Sequence, residues 1–183
     1  MLRSIPGLDV IRPADARETY AAWNLALKKN DGPTAIVLSR QNLPLLPLST
    51  AEGVEKGAYV VSKSQNQAAY EIIATGSEVS LAVSVQKLLA AKGIDVDVIS
   101  MPSVERFEAQ SPEYQSSVLR LPLEKRFSLE MASTFGWAKF VKFSIGIDEF
   151  GRSAPAKDVI AHFGFTPEAV AAKIEDIIKK IVK

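Results

Sequence analysis

The sequence predicts an α/β fold. We expect a three-layer α/β/α domain over residues 58–183, with a mostly parallel sheet of about five strands. A partial βαβ piece of a second α/β domain precedes it. Three observations carry this expectation. Tyr70-Glu71-Ile72-Ile73-Ala74-Thr75 and Val96-Asp97-Val98-Ile99-Ser100 are short, largely apolar and β-branched runs, which is how buried strands read. Stretches with helical spacing separate such runs, as right-handed βαβ crossovers require. The pattern also starts twice, once before Pro44 and again from Ala58.

In chain order, Leu8-Asp9-Val10-Ile11 is a short strand that Arg12-Pro13-Ala14 breaks. Asp15 and Glu18 form a variant of the capping box, so a helix begins there. Ala16, Tyr20, Trp23 and Leu27 follow helical spacing and predict its apolar face, and Lys28 and Lys29 suit the negative end of its dipole. Gly32-Pro33 bounds a strand at Thr34–Leu38, read as buried. A two-stranded unit of this kind cannot cover both faces of its sheet alone. Residues 1–45 are therefore expected to be the C-terminal piece of a larger domain, and the chain a fragment. Pro44 and Pro47 interrupt regular structure, and residues 46–57 read as a linker.

From Ala58 the elements run on without a break. Ala58–Val61 is an edge strand, and 70–75 a buried one. Gly76-Ser77-Glu78 turns into a helix reaching about Ala91, with Ser77, Ser80, Ser84 and Lys87 as a narrow polar stripe. Gly93 ends it, and 96–100 is the next parallel strand. Short helices follow near Val104–Phe107 and Tyr114–Leu119. Arg126–Glu130 and Phe143–Ile147 are the remaining strands. Pro155 is placed in the first turn of one helix, and Thr166 caps the last, whose apolar face is Val170, Ile174, Ile177, Ile178 and Ile181.

Composition narrows the function. Of 183 residues 47% are hydrophobic and 23% charged, so the chain can bury a core. A formal charge of +1 provides no basic footprint for nucleic acid or an acidic membrane. No apolar run reaches membrane-spanning length, and the first seven residues do not form a signal peptide. With no cysteine, disulfides and thiolate metal sites are excluded, and a reducing, cytoplasmic setting is expected.

Few residues are candidates for chemistry. Arg40 follows the 34–38 strand in the polar run Ser39-Arg40-Gln41-Asn42. Open α/β sheets bind ligands beyond the carboxyl ends of their strands, and the planar guanidinium fork suits a phosphate. The alternative is an ion pair at a domain edge. The Thr75–Glu78 junction reads as a helix entry; an anion could sit on its free N–H groups, but Glu78 would repel it. Glu130 ends a strand with no partner placed beside it by sequence, and reads as structural or interfacial. Trp137, Phe140 and Phe143 read as core or partner surface. The charges of Asp148–Arg152 either line a cleft or pair with each other. His162 is the only histidine and reads as structural.

Five ordered segments share a further property. They are Ile11-Arg12-Pro13-Ala14-Asp15, Leu38-Ser39-Arg40-Gln41-Asn42-Leu43-Pro44, Ala74-Thr75-Gly76-Ser77-Glu78-Val79, Val98-Ile99-Ser100-Met101-Pro102-Ser103 and Phe150-Gly151-Arg152-Ser153-Ala154-Pro155-Ala156. Together they closely resemble the C-terminal part of the transketolase family. That resemblance implies transfer of a two-carbon ketol unit between sugar phosphates, with thiamine diphosphate and magnesium, by a homodimer. It implies that residues 1–45 end the pyrimidine-binding domain and that 58–183 form the C-terminal domain. It assigns Arg40 to the sugar phosphate. The family's catalytic, cofactor and metal ligands lie upstream, so none is expected here. By the same resemblance the fragment alone is expected to be inactive, to bind no cofactor, and to serve packing and dimer contact with the rest of the polypeptide. Related thiamine enzymes remain as alternatives. Dihydroxyacetone synthase stays open, whereas the Ser-Arg-Gln-Asn-Leu-Pro run argues against deoxyxylulose-phosphate synthase. A stand-alone anion-binding regulatory α/β module using Gly76-Ser77-Glu78 is the alternative of another class.

Overall fold

Two sheets organise the chain in the computed structural model, which describes residues 2–181. Met1, at the head of the expected 1–45 piece, and residues 182–183, at the end of the expected 58–183 domain, lie outside the described residues. The smaller sheet pairs β1 (Asp9–Ile11) in parallel with β2 (Thr34–Ile36), and α1 (Ala16–Lys28) crosses between them. The larger has the order β3-β5-β4-β6-β7. β3 (Tyr59–Ser62) is antiparallel at one edge. β4 (Tyr70–Ala74), β5 (Val96–Ser100), β6 (Arg126–Leu129) and β7 (Phe143–Ile145) are mutually parallel.

Alternating side chains of the parallel strands feed two cores, which gives the three layers. Ile72, Val98, Phe127 and Leu129 meet α3 (Glu78–Ala90) and α7 (Pro167–Ile181) through Val79, Val85, Leu89, Val170 and Ile174. On the other face Ile73, Ile99 and Met101 meet Phe107 of α4 (Val104–Glu108), Val118 of α5 (Pro112–Val118), Trp137 and Phe140. Burying each of these large side chains is worth about 1.5–3 kcal/mol. Phe127 also stacks on Phe143, with ring centroids 5.3 Å apart. Thr166 caps α7 as expected, accepting from the Ala169 amide.

Some expectations need correcting. The bulky stripe of α1 does not face a core: Tyr20 is 71% exposed and Leu27 78%, with Ala16 and Trp23 also exposed. The buried stripe is Glu18, Ala21 and Ala22, whose small alanines let α1 approach α2 (Ala51–Lys56) and Ile11 closely. The strand read as buried over 34–38 stops at Ile36 and is only half-buried, and Val37 and Leu38 beyond it are exposed. The segment 46–57 was expected to lack regular structure but contains α2. Thr50 caps that helix by accepting from Gly53 N, and Gly57 ends it with φ +86°. Its short polar composition hid a helix of six residues. Pro155 stands at the N-cap of α6 (Ala156–His162), one position before the first turn.

The connections place one crevice. From β4 the chain passes through α3 to β5, then returns across the sheet to β6 on the other side of β4. Crossovers therefore diverge at the carboxyl ends of β4 and β6. In a doubly wound sheet that switch point is where a ligand is held.

Candidate functional site

The switch-point crevice is filled by Arg12, the residue that follows β1. The loop after β4 supplies Gly76, the first residue of α3 supplies Glu78, and the residue after β6 supplies Glu130. Arg12 Nη2 donates to Glu78 Oε2 at 3.1 Å, and Nη1 donates to Glu130 Oε1. Gly76 adopts φ +60°, and a Cβ there would lie 3.2 Å from Nη2 of Arg12. A glycine thus serves both the backbone turn and the close approach of the guanidinium. The Arg12 backbone is gripped as well: its N–H donates to Pro102 O at 2.8 Å, and its C=O accepts from Gly76 N at 3.0 Å.

A second guanidinium completes the cluster. Arg3 donates in bidentate fashion to Glu130, at 2.9 and 3.0 Å, and Trp137 Nε1 donates to Glu130 Oε2 at 2.8 Å. Arg3 also lies over the Trp137 ring, 5.5 Å from its centroid. Glu78 accepts from Met131 N and from the Ser77 hydroxyl. Two cations thus face two almost fully buried carboxylates, so the group is neutral overall. Burial works against the charge of Arg12, but Glu78 and Glu130 outweigh it and its pKa is raised. Burial likewise opposes the charge of Glu130, yet Arg3, Arg12 and Trp137 hold its pKa below the usual value. A cleft of about 660 Å³ opens above the cluster, walled by Arg3, Arg12, Glu130, Trp137, Val37 and Phe135 among others.

Two more buried carboxylates join the smaller sheet to the larger one. Glu18 accepts from Tyr59 OH (2.6 Å), Ser100 Oγ (2.7 Å) and Ala14 N (2.7 Å). Tyr59 and Ser100 are a cross-strand pair of β3 and β5. Burial pushes the Glu18 carboxyl up. Asp9 pairs with Arg106 of α4 at 2.8 Å. The capping box is thus half of what was expected: Asp15 accepts from Glu18 N, but the Glu18 side chain turns to Ala14 and to the larger sheet.

The other sequence candidates are scattered. Arg40 is exposed on the loop after β2 and lies outside the cleft. The Gly76-Ser77-Glu78 junction leads into α3, with the Arg12 guanidinium packed against Gly76 and bonded to Glu78. Glu130 is bonded to Arg3, Arg12 and Trp137, partners that sequence did not show. Trp137 and Phe140 belong to the core beneath α4 and α5, and half-buried Phe143 packs against the core on the other face. Asp148 accepts from Ser133 Oγ, Thr134 N and Thr134 Oγ1, rather than pairing with a neighbour such as Arg152. His162 is exposed, edge-on to Phe163. Sequence reasoning missed Arg3 and Arg12.

Comparison with known proteins decides the family. Residues 57–166 match the transketolase-like TK C-terminal domain, and residues 1–45 match the transketolase pyrimidine-binding domain. The chain belongs to the transketolase family. It is 50% identical to the transketolase of Bacillus subtilis over 98% of its length, and 49% identical to that of Geobacillus stearothermophilus. It spans only 28% of the length of each. Among solved structures, a variant transketolase from Pichia stipitis superposes with a TM-score of 0.92 at 41% identity, over 97% of this chain and 26% of that one. The transketolase of Leishmania mexicana gives 0.92, also at 41%, over 98% and 26%.

Membership of the transketolase family implies thiamine diphosphate. Among the described residues no cluster of three or more His, Asp or Glu could hold an ion. At the strand-to-helix junction after β4, Arg12 is paired with Glu78. No described helix is long and apolar enough to cross a membrane.

Proposed function

We propose that this chain acts as the C-terminal part of a transketolase, within an enzyme that moves a two-carbon ketol unit from a ketose phosphate to an aldose phosphate. The observation that carries this reading is 50% identity to a transketolase over 98% of the chain. In that reading residues 1–45 belong to the pyrimidine-binding domain, 46–57 join the domains, and 58–183 form the C-terminal domain. Thiamine diphosphate and magnesium are held by other parts of a cytoplasmic homodimer. Arg40 holds the sugar phosphate. Its exposure beyond the end of β2 leaves the fork free to donate two parallel hydrogen bonds to phosphate oxygens. The test is ketol transfer by the full-length protein carrying this sequence. Transfer between sugar phosphates that requires both thiamine diphosphate and magnesium is the expected result. A purified, folded full-length protein that transfers no ketol unit with both present would contradict it.

A further inference from the structure

We propose that Glu130 and Glu78 are positioning residues for the substrate loop, acting through Arg12. In this reading the C-terminal domain uses its switch-point crevice to hold an internal guanidinium instead of a diffusible ligand. The inference rests on the assignment of Arg40 to the sugar phosphate. A bonded path connects the two sites. Glu78 and Glu130 fix the side chain of Arg12, and Pro102 and Gly76 fix its backbone. Arg12 follows Ile11, whose C=O accepts from Val37 N at 2.9 Å. Val37 opens the loop that carries Arg40, and it also walls the cleft above the cluster.

Such an arrangement suits positioning. The Arg40 loop is exposed between two anchors: Val37 N donates to Ile11 O at the end of β1, and Leu46 N donates to Asp15 Oδ2 at its far end. The anchor nearer Arg40 is the one at Val37, next to the residue that the crevice holds. Buried, charge-assisted contacts to two separate carboxylates hold that residue against a rigid parallel sheet. Gly76 is the residue that lets the guanidinium in. A site supported this way gains from contacts that never touch the substrate.

The test uses the full-length enzyme with Glu130→Gln, which keeps the shape and removes the charge. Arg12→Lys, which keeps the charge and loses the fork, carries the same comparison if the first variant does not fold. Two measurements are made: KM and kcat for phosphorylated and unphosphorylated ketose donors, and hydrogen exchange of the 37–43 amides. We expect KM for phosphorylated donors to rise by about three- to tenfold, with kcat and the unphosphorylated donors changing by less than about twofold. Exchange over 37–43 should speed up by about tenfold while α3 and α7 keep their protection. An equal penalty on both donor types, or unchanged exchange at 37–43, overturns the proposal. The Arg40 assignment fails separately: Arg40→Ala would then show no preference for phosphorylated donors, whereas the exchange result would still report whether the crevice holds the loop.

Discussion

Replacing Glu18 by Ala tests how the smaller sheet is held to the larger one. The change leaves Tyr59 OH, Ser100 Oγ and Ala14 N without their acceptor, in a site where Glu18 is fully buried. Each buried donor left unpaired costs about 1–3 kcal/mol. Part of this is recovered, because the two hydroxyls can turn and a buried carboxylate is removed. We therefore expect a net loss of about 2–5 kcal/mol, a large share of the 5–15 kcal/mol typical of a domain. The pH dependence is more diagnostic than the size. Burial raises the folded-state pKa of Glu18 above the ordinary 4.5, and none of its hydrogen-bond partners is a cation. A raised carboxylate contributes stability that is fully present below its unfolded value and is lost as pH rises through the folded value. The gap in stability between the wild-type chain and Glu18→Ala should thus be wider near pH 4 than near pH 7. Urea unfolding followed by circular dichroism at both pH values measures it. A gap that narrows in acid would mean that Glu18 is held as a favoured anion, and would refute the reasoning.

Two further substitutions probe turns on either side of the site. Gly57→Ala places a Cβ 2.3 Å from Phe107 N and 2.5 Å from Ser103 O at φ +86°, so backbone must move; a loss above about 2 kcal/mol is expected, and an unchanged urea midpoint would show that α2 and α4 are not rigidly packed. Ser77→Ala removes a hydroxyl that bonds Glu78 but caps no amide of α3. Its cost should stay below about 1 kcal/mol, with full-length ketol transfer unchanged; lost activity at normal stability would reveal a ligand at that junction.

What was legible in the sequence was mostly local. The strand runs at 70–75 and 96–100 and the cap at Asp15 are short-range signals, and the parallel sheet follows from them. The face of α1 was not legible. Helical spacing marks a stripe, but Tyr20, Trp23 and Leu27 looked like the core because they are large, whereas close packing took Ala21 and Ala22. The Arg12 cluster was invisible for another reason. Glu130 lies 118 residues from Arg12 and 127 from Arg3, so only the fold brings them together. One signal did exist: a glycine just after a buried strand, at the turn where the guanidinium of Arg12 comes close. The helix at 51–56 was hidden by its brevity, although Thr50 and Gly57 mark both its ends.

Arg40 is the residue assigned to the sugar phosphate. A charge-assisted, bidentate contact to phosphate is worth about 1.5–3 kcal/mol. Arg40→Ala in the full-length enzyme should therefore weaken apparent binding of phosphorylated sugars by about ten- to a hundredfold. Unphosphorylated donors should change far less, and Arg40→Lys should recover only part of the loss, because a point charge cannot reproduce the fork. The measurement is KM for a matched pair of phosphorylated and unphosphorylated ketose donors. A selective rise for the phosphorylated donor is the predicted result; an equal rise for both would show that Arg40 does not hold the phosphate.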